Sequence, residues 1–135
     1  MAFGHQQLDV YRVSLEYVRW SFQICERLKG NHRHAREQLL RAAQSIPLNI
    51  AEGNAKATEP ERRRFFEIAR GSAVECTAIQ DVLEICGGIQ PGENHEGNRL
   101  LDRISAMLTR LGGRGYSVKE DQAEYDSSGQ DGIGR

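Results

Sequence analysis

The chain has 135 residues, 39% hydrophobic and 27% charged, with 18 Lys+Arg against 19 Asp+Glu and a net charge of −1. That length suits one domain with a real core. No apolar run approaches the roughly 20 residues of a membrane span, and the charge balance gives no general affinity for nucleic acid. Three cysteines, an odd number, argue against a disulfide framework and for a reducing, cytoplasmic setting. The balance hides an asymmetry. Residues 1–57 carry eight basic and five acidic groups, residues 58–90 four and six, residues 91–112 three and three, and residues 113–135 three and five.

Four helices are predicted in chain order. The first runs from about Leu8 to Lys29 and stops at Gly30-Asn31. It carries two apolar stripes about 150° apart. Leu8, Tyr11, Leu15, Val18, Phe22 and Cys25 form one, and Val10, Val13, Tyr17, Trp20 and Ile24 the other. An outer helix of a bundle needs a single apolar stripe, so the second meets a wider core, a ligand or another subunit. The expectation is a subunit interface made of Val13, Tyr17, Trp20 and Ile24.

The second helix is predicted over about Arg33 to Ala57, with a core stripe of Leu39, Ala43, Ile46 and Ile50. A polar stripe, Gln38, Arg41, Ser45, Asn49 and Glu52, lies roughly 120° away. Ser45 and Asn49 are mediocre helix formers. Pro47 removes a hydrogen bond to the Ala43 carbonyl at a cost of ~3 kcal/mol if uncompensated. The stretch is therefore expected to kink, with Ser45 or Asn49 satisfying the freed backbone groups.

The third helix starts at Thr58, whose hydroxyl is placed to accept from the Glu61 backbone N–H, with Pro60 in the first turn where no N–H is needed. It is predicted to end near Cys86, before Gly87-Gly88, and to offer Phe65, Ala69, Ser72, Cys76, Ile79, Leu83 and Cys86 to the core. Glu75 beside this stripe is expected to pair with Arg41. After a turn at Gln90-Pro91-Gly92, a fourth helix covers about Glu93 to Leu111. Short connections make successive helices antiparallel. The fold class is all-α: an up-down-up-down four-helix bundle over residues 1–112. Residues 113–135, glycine-rich and acidic, are expected to be a disordered tail that folding and assembly do not need.

The stretch Arg41-Ala-Ala-Gln-Ser-Ile-Pro-Leu-Asn-Ile-Ala-Glu-Gly53 resembles the four-helix-bundle proteins of the 23S ribosomal RNA intervening-sequence family. Leu8-Asp-Val-Tyr-Arg12 and Arg64-Phe-Phe-Glu-Ile-Ala-Arg-Gly-Ser-Ala-Val-Glu75 support the likeness, which spans roughly residues 3–111. The resemblance implies a small antiparallel bundle assembled as a homopentameric ring. The family is also similar to the accessory protein of diversity-generating retroelements, a basic pentamer that binds a reverse transcriptase and nucleic acid. The present chain is not basic.

No phosphate-binding glycine loop, His-Glu-x-x-His or Cys-x-x-Cys is present, and no metal or cofactor is expected. Two functions are weighed. The first is a non-enzymatic homo-oligomeric binding module for RNA or a nucleoprotein partner. In it, Arg33, Arg36, Arg62, Arg63 and Arg64 from several copies would gather on one rim to meet phosphates. The second is an RNA-cleaving helical bundle using Arg27 and His32, which match an Arg-x4-His pattern.

Overall fold

The computed structural model describes residues 3–111, which form four α-helices: α1 Asp9–Cys25, α2 Arg33–Asn54, α3 Glu59–Ile85 and α4 Pro91–Arg110. Short 3-10 turns, Gly4–Gln7 and Gly30–His32, precede α1 and α2. The expected tail at 113–135 lies outside the described residues.

Local chemistry sets the helix ends. The Thr58 hydroxyl accepts from the Glu61 N–H at 3.4 Å. α3 stops at a Schellman motif, in which the N–H of Gly88 donates to the Leu83 carbonyl at 2.7 Å and that of Gly87 to the Glu84 carbonyl at 3.1 Å. Gly87 sits at φ +82° in this turn, a conformation that favours glycine. α4 begins two residues earlier than expected, because Pro91 suits the first helical position and the Glu93 carboxylate accepts from the Gln90 N–H at 2.8 Å. α2 continues as helix on both sides of Pro47. The Asn49 amide donates to the Ser45 carbonyl at 2.8 Å, not to the Ala43 carbonyl that Pro47 leaves without its usual donor.

Residue pairings fix the topology. Along α2 and α3, Ser45 meets Ser72, and further on Asn54 meets Arg62. As one number rises the other falls, so the helices are antiparallel. Trp20 against Gly97 and Arg27 against Glu93 show the same for α1 and α4. Cys25 with Arg36, and Gly4 near Asn54, show it for α1 and α2. α3 and α4 are then antiparallel as well, and the bundle runs up-down-up-down.

The core is filled by Tyr17, Leu39, Ile46, Ile50, Phe66, Leu83, Leu101, Ile104 and Leu108. The α2 core stripe is as expected. The α1 stripe expected at a subunit interface is not available to one: Val13, Tyr17 and Ile24 are buried in the chain's own core and Trp20 is half-buried. That stripe is the one facing α4, while Leu15 and Phe22 of the other stripe are exposed. In α3, Phe66 rather than Phe65 enters the core, packing on Gly53, and Cys86 is exposed because it lies just past the helix end.

Candidate functional site

A buried polar network joins α1, α3 and α4. The Tyr17 hydroxyl donates to Gln80 Oε1. Gln80 Nε2 donates to Asn94 Oδ1 at 2.8 Å and to Asn98 Oδ1 at 3.1 Å. Asn94 Nδ2 in turn donates to Glu84 Oε1 at 2.7 Å and Asp81 Oδ1 at 3.1 Å. Burial, with smaller contributions from Cys76 and Cys25, pushes the Tyr17 phenol up, so it stays a donor. Sequence reasoning missed Gln80, Asn94 and Asn98. The available signal was Gln80 four residues after Cys76 and three before Leu83, a polar residue at a core period. Gly97 gives the network its room: a Cβ there would lie 2.7 Å from both Gln80 Oε1 and Trp20 Cη2.

The polar stripe of α2 is partly structural. The Ser45 and Ser72 hydroxyls share a 2.8 Å hydrogen bond across α2 and α3, and Asn49 Nδ2 donates to Ser45 Oγ at 3.0 Å. Glu52 pairs with Lys56 at 3.2 Å, and Gln38 is half-buried. Arg41 and Glu75 are both exposed and form no salt bridge with each other. Their expected buried pairing does not occur, because both side chains point outward from the α2/α3 contact. Arg41→Ala should therefore cost under ~1 kcal/mol in a denaturant melt, as exposed charges usually do. A loss of several kcal/mol would contradict this geometry.

The five arginines expected on one rim occupy opposite ends of the bundle. Arg33 and Arg36 open α2; Arg62, Arg63 and Arg64 lie near the start of the antiparallel α3, beside the end of α2. The two groups are separated by about 30 Å, the length of α2 at 1.5 Å per residue. Arg36 Nε donates to the Cys25 carbonyl and Arg62 Nη1 to the Asn54 carbonyl, both at 3.0 Å. Each cation thus serves the C-terminus of the preceding helix, where the macrodipole favours positive charge. Arg64 and Lys56 lie over the Phe65 ring at 5.3 and 5.2 Å from its centroid. Arg33 and Arg64 are exposed, and Arg63 is half-buried.

Arg27 forms an ion pair with Glu93 of α4, while His32 is half-buried in the turn before α2. Partial burial works to raise the Glu93 carboxyl, but the Arg27 hydrogen bond, the Gln90 N–H and the Arg27 charge outweigh it and hold it below its ordinary value. The depressed value stabilises the fold above the ordinary carboxylate range and ceases to do so as pH falls through the folded value. An NMR titration should therefore place Glu93 below a free glutamate in the wild type and return it upward in Arg27→Ala. An unchanged value would remove the pair from the account.

Burial pushes the Cys25 thiol up to about 11 and that of Cys76 up to about 12. Neither is a nucleophile at neutral pH. Among the described residues no group of three or more His, Cys, Asp or Glu is placed to hold a metal ion. No described helix is long and apolar enough to cross a membrane.

The outer faces differ in character. Between α1 and α4 lies a groove of about 470 Å³ lined by Asp9, Arg12, Glu16, Arg103 and Arg110 with Val13, Ala106 and Met107. The outer sides of α1, α2 and α3 instead expose Leu15, Phe22, Leu48, Val74, Val82 and Ile85. Gly71 stands among them in mid-α3, with nothing within 4 Å of where its Cβ would be. Gly71→Ala should therefore raise the unfolding free energy by about 0.5–1 kcal/mol, the usual helix-interior gain. Destabilisation in a thermal melt would show a role within the bundle.

A family model, the 23S rRNA-intervening sequence protein, matches residues 6–110. The chain belongs to this family. A crystal structure of a protein of unknown function from the S23 ribosomal protein family of Bacteroides thetaiotaomicron is similar to it. The two share 21% identity at a TM-score of 0.71, covering 76% of this chain and 97% of that one. This likeness concerns the fold. No curated protein matches the sequence. Within the intervening-sequence family fold, the stretch Arg41 to Gly53 that carries the resemblance holds the Ser45–Ser72 contact. It ends at Gly53, where a Cβ would lie 2.9 Å from Phe66 Cε1. Much of that stretch is therefore explained by α2/α3 packing.

Proposed function

We propose that this intervening-sequence family protein is a non-enzymatic, cytoplasmic, homo-oligomeric binding module, a pentamer as the family resemblance implies, with RNA or a nucleoprotein as its partner. The observation that carries the oligomer is the apolar surface on the outer sides of three helices. Phe22, Leu48, Val74, Val82 and Ile85 all remain exposed in the single chain. Exposed apolar patches on a folded chain mark association sites. The three unpaired cysteines accord with a reducing compartment. Cleavage is disfavoured because Arg27, half of the Arg-x4-His pair, is tied to Glu93.

The partner reading is electrostatic. One copy carries a net charge of −1, so contact with phosphates needs several copies, each adding its exposed Arg33 at one end and Arg64 at the other. Light scattering tests the assembly. A discrete particle at about five times the 15.2 kDa chain mass is expected, and a 15.2 kDa monomer at all concentrations would refute it. Filter binding tests the partner. We expect micromolar or weaker binding to single-stranded RNA, falling with a slope of about −0.7 per phosphate contacted on a log–log salt plot. Absence of binding at low salt would favour a protein partner.

A further inference from the structure

The groove between α1 and α4 runs on along the same two helices. A second hollow of about 430 Å³ carries it past Glu16 to Arg19, Trp20, Arg99 and Leu100. Glu16 lines both hollows, so they form one seam. Five arginines stand along it, Arg12 and Arg19 from α1 and Arg99, Arg103 and Arg110 from α4. Residues three, four and seven apart share a helix face, which is why they fall in two facing rows. Three acids stand among them. Asp9 pairs with Arg12 at 3.4 Å and Glu96 with Arg99 at 2.9 Å. Glu16 is left against Arg19, Arg103 and Arg110, which are all exposed and form no salt bridge among the described residues. The seam therefore keeps an excess of positive charge.

One end of the seam is where α4 finishes. Arg110 lines the groove, and Leu111 lines a smaller adjoining hollow that shares Asp9 and Met107 with it. The chain that follows contains its most acidic twelve residues. Residues 120–131 hold Glu120, Asp121, Glu124, Asp126 and Asp131, with no lysine, arginine or histidine. Residues 112–119 join Leu111 to this run and can span up to about 27 Å. From Asp9 to Gln23 the seam is about 21 Å long at 1.5 Å per residue. The acidic run can therefore reach any part of it.

We infer that the acidic run 120–131 docks in the α1/α4 seam of its own chain, its carboxylates against Arg19, Arg103 and Arg110. Charge and connection select this occupant. A single exposed ion pair contributes little. A tethered segment, however, meets its site at an effective concentration in the millimolar range, so several weak pairs suffice. The start of α3 lies at the same end of the bundle, but its arginines are engaged: Arg62 donates to the Asn54 carbonyl and Arg64 lies over the Phe65 ring. The contact is electrostatic and loosens as salt rises. Another polyanion reaches the seam arginines only by displacing the run. The inference holds whether or not the partner is RNA.

The test uses the full chain and a glutamate-specific protease that cuts after Glu120 and Glu124, with a free peptide of residues 113–135 as the rate standard at each salt concentration. At low salt the wild type should be cut several-fold more slowly than the triple variant Arg19→Gln, Arg103→Gln, Arg110→Gln. Raising NaCl to about 0.5 M should bring the wild type to the variant's rate. Arg64→Gln should be cut like the wild type. Circular dichroism checks that helicity is kept. A second variant leaves the bundle untouched: Glu120→Gln, Asp121→Asn, Glu124→Gln, Asp126→Asn and Asp131→Asn together. In it, the side-chain Nε–H signals of Arg19, Arg103 and Arg110 should move in an NMR spectrum, and added salt should move the wild-type signals the same way. If the triple variant is cut at the wild-type rate, or the three arginine signals stay in place when the acids are neutralised, the docking is wrong. Faster cutting in Arg64→Gln, with none in the triple variant, would put the run at the start of α3 and overturn it too.

Discussion

Gln80→Ala is expected to lower the unfolding free energy by about 3–5 kcal/mol, combining a small cavity with buried polar groups left without partners. The Tyr17 hydroxyl loses its acceptor and Asn94 Oδ1 loses the donor at 2.8 Å. Neither group has water as a ready substitute, because Tyr17 and Gln80 are fully buried and Asn94 is 7% exposed. A loss of that size is a large part of the roughly 5–15 kcal/mol that holds a domain together. Urea melts of Gln80→Ala, Tyr17→Phe and the double variant check it. The double variant should lose clearly less than the two single losses combined, since removing both partners strands fewer groups than removing one. Strict additivity would mean that Tyr17 and Gln80 do not act together.

Gly97→Ala should also be strongly destabilising, although alanine is the better helix former. A Cβ at Gly97 would stand 2.7 Å from Gln80 Oε1 and from Trp20 Cη2, and 2.9 Å from Gln80 Cδ. Either the ring or the amide must move. Forced repacking of a filled core costs about 1–3 kcal/mol, and displacing the Gln80 amide adds the strain of its hydrogen bonds. We expect a net loss of about 2 kcal/mol or more, with a red shift in the emission of Trp20, the chain's single tryptophan, as the ring is displaced toward water. Gly71→Ala is the matched control, the same substitution into open space on the neighbouring helix. If both variants gain stability alike, the close packing at Gly97 is not real.

What the sequence determined by itself is local or periodic. The Thr58 cap depends on a residue three positions away, and the Gly87 turn on atoms within five residues, so nothing distant is needed to specify them. The core stripe of α2 was legible because Leu39, Ala43, Ile46 and Ile50 are set against a plainly polar neighbouring stripe. Even the separation of Arg33 and Arg36 from Arg62, Arg63 and Arg64 follows from alternation, since successive antiparallel helices start at opposite ends.

The choice between the two apolar stripes of α1 belongs to the tertiary structure. Both have helical spacing and similar hydrophobicity, so periodicity ranks neither above the other. The decision lies on other helices: Gly97 of α4 leaves space for Trp20, and Gln80 of α3 supplies the acceptor without which burying the Tyr17 hydroxyl would be costly. With that stripe turned inward, Leu15 and Phe22 are left outside. The same holds for Phe65 and Phe66, adjacent and chemically equal. Gly53 on α2 admits the Phe66 ring, and Phe65 is left under Lys56 and Arg64. In each case the sequence supplies two equivalent candidates, and the space or hydrogen-bond partner that separates them comes from a residue distant in the chain, brought close only when the helices pack.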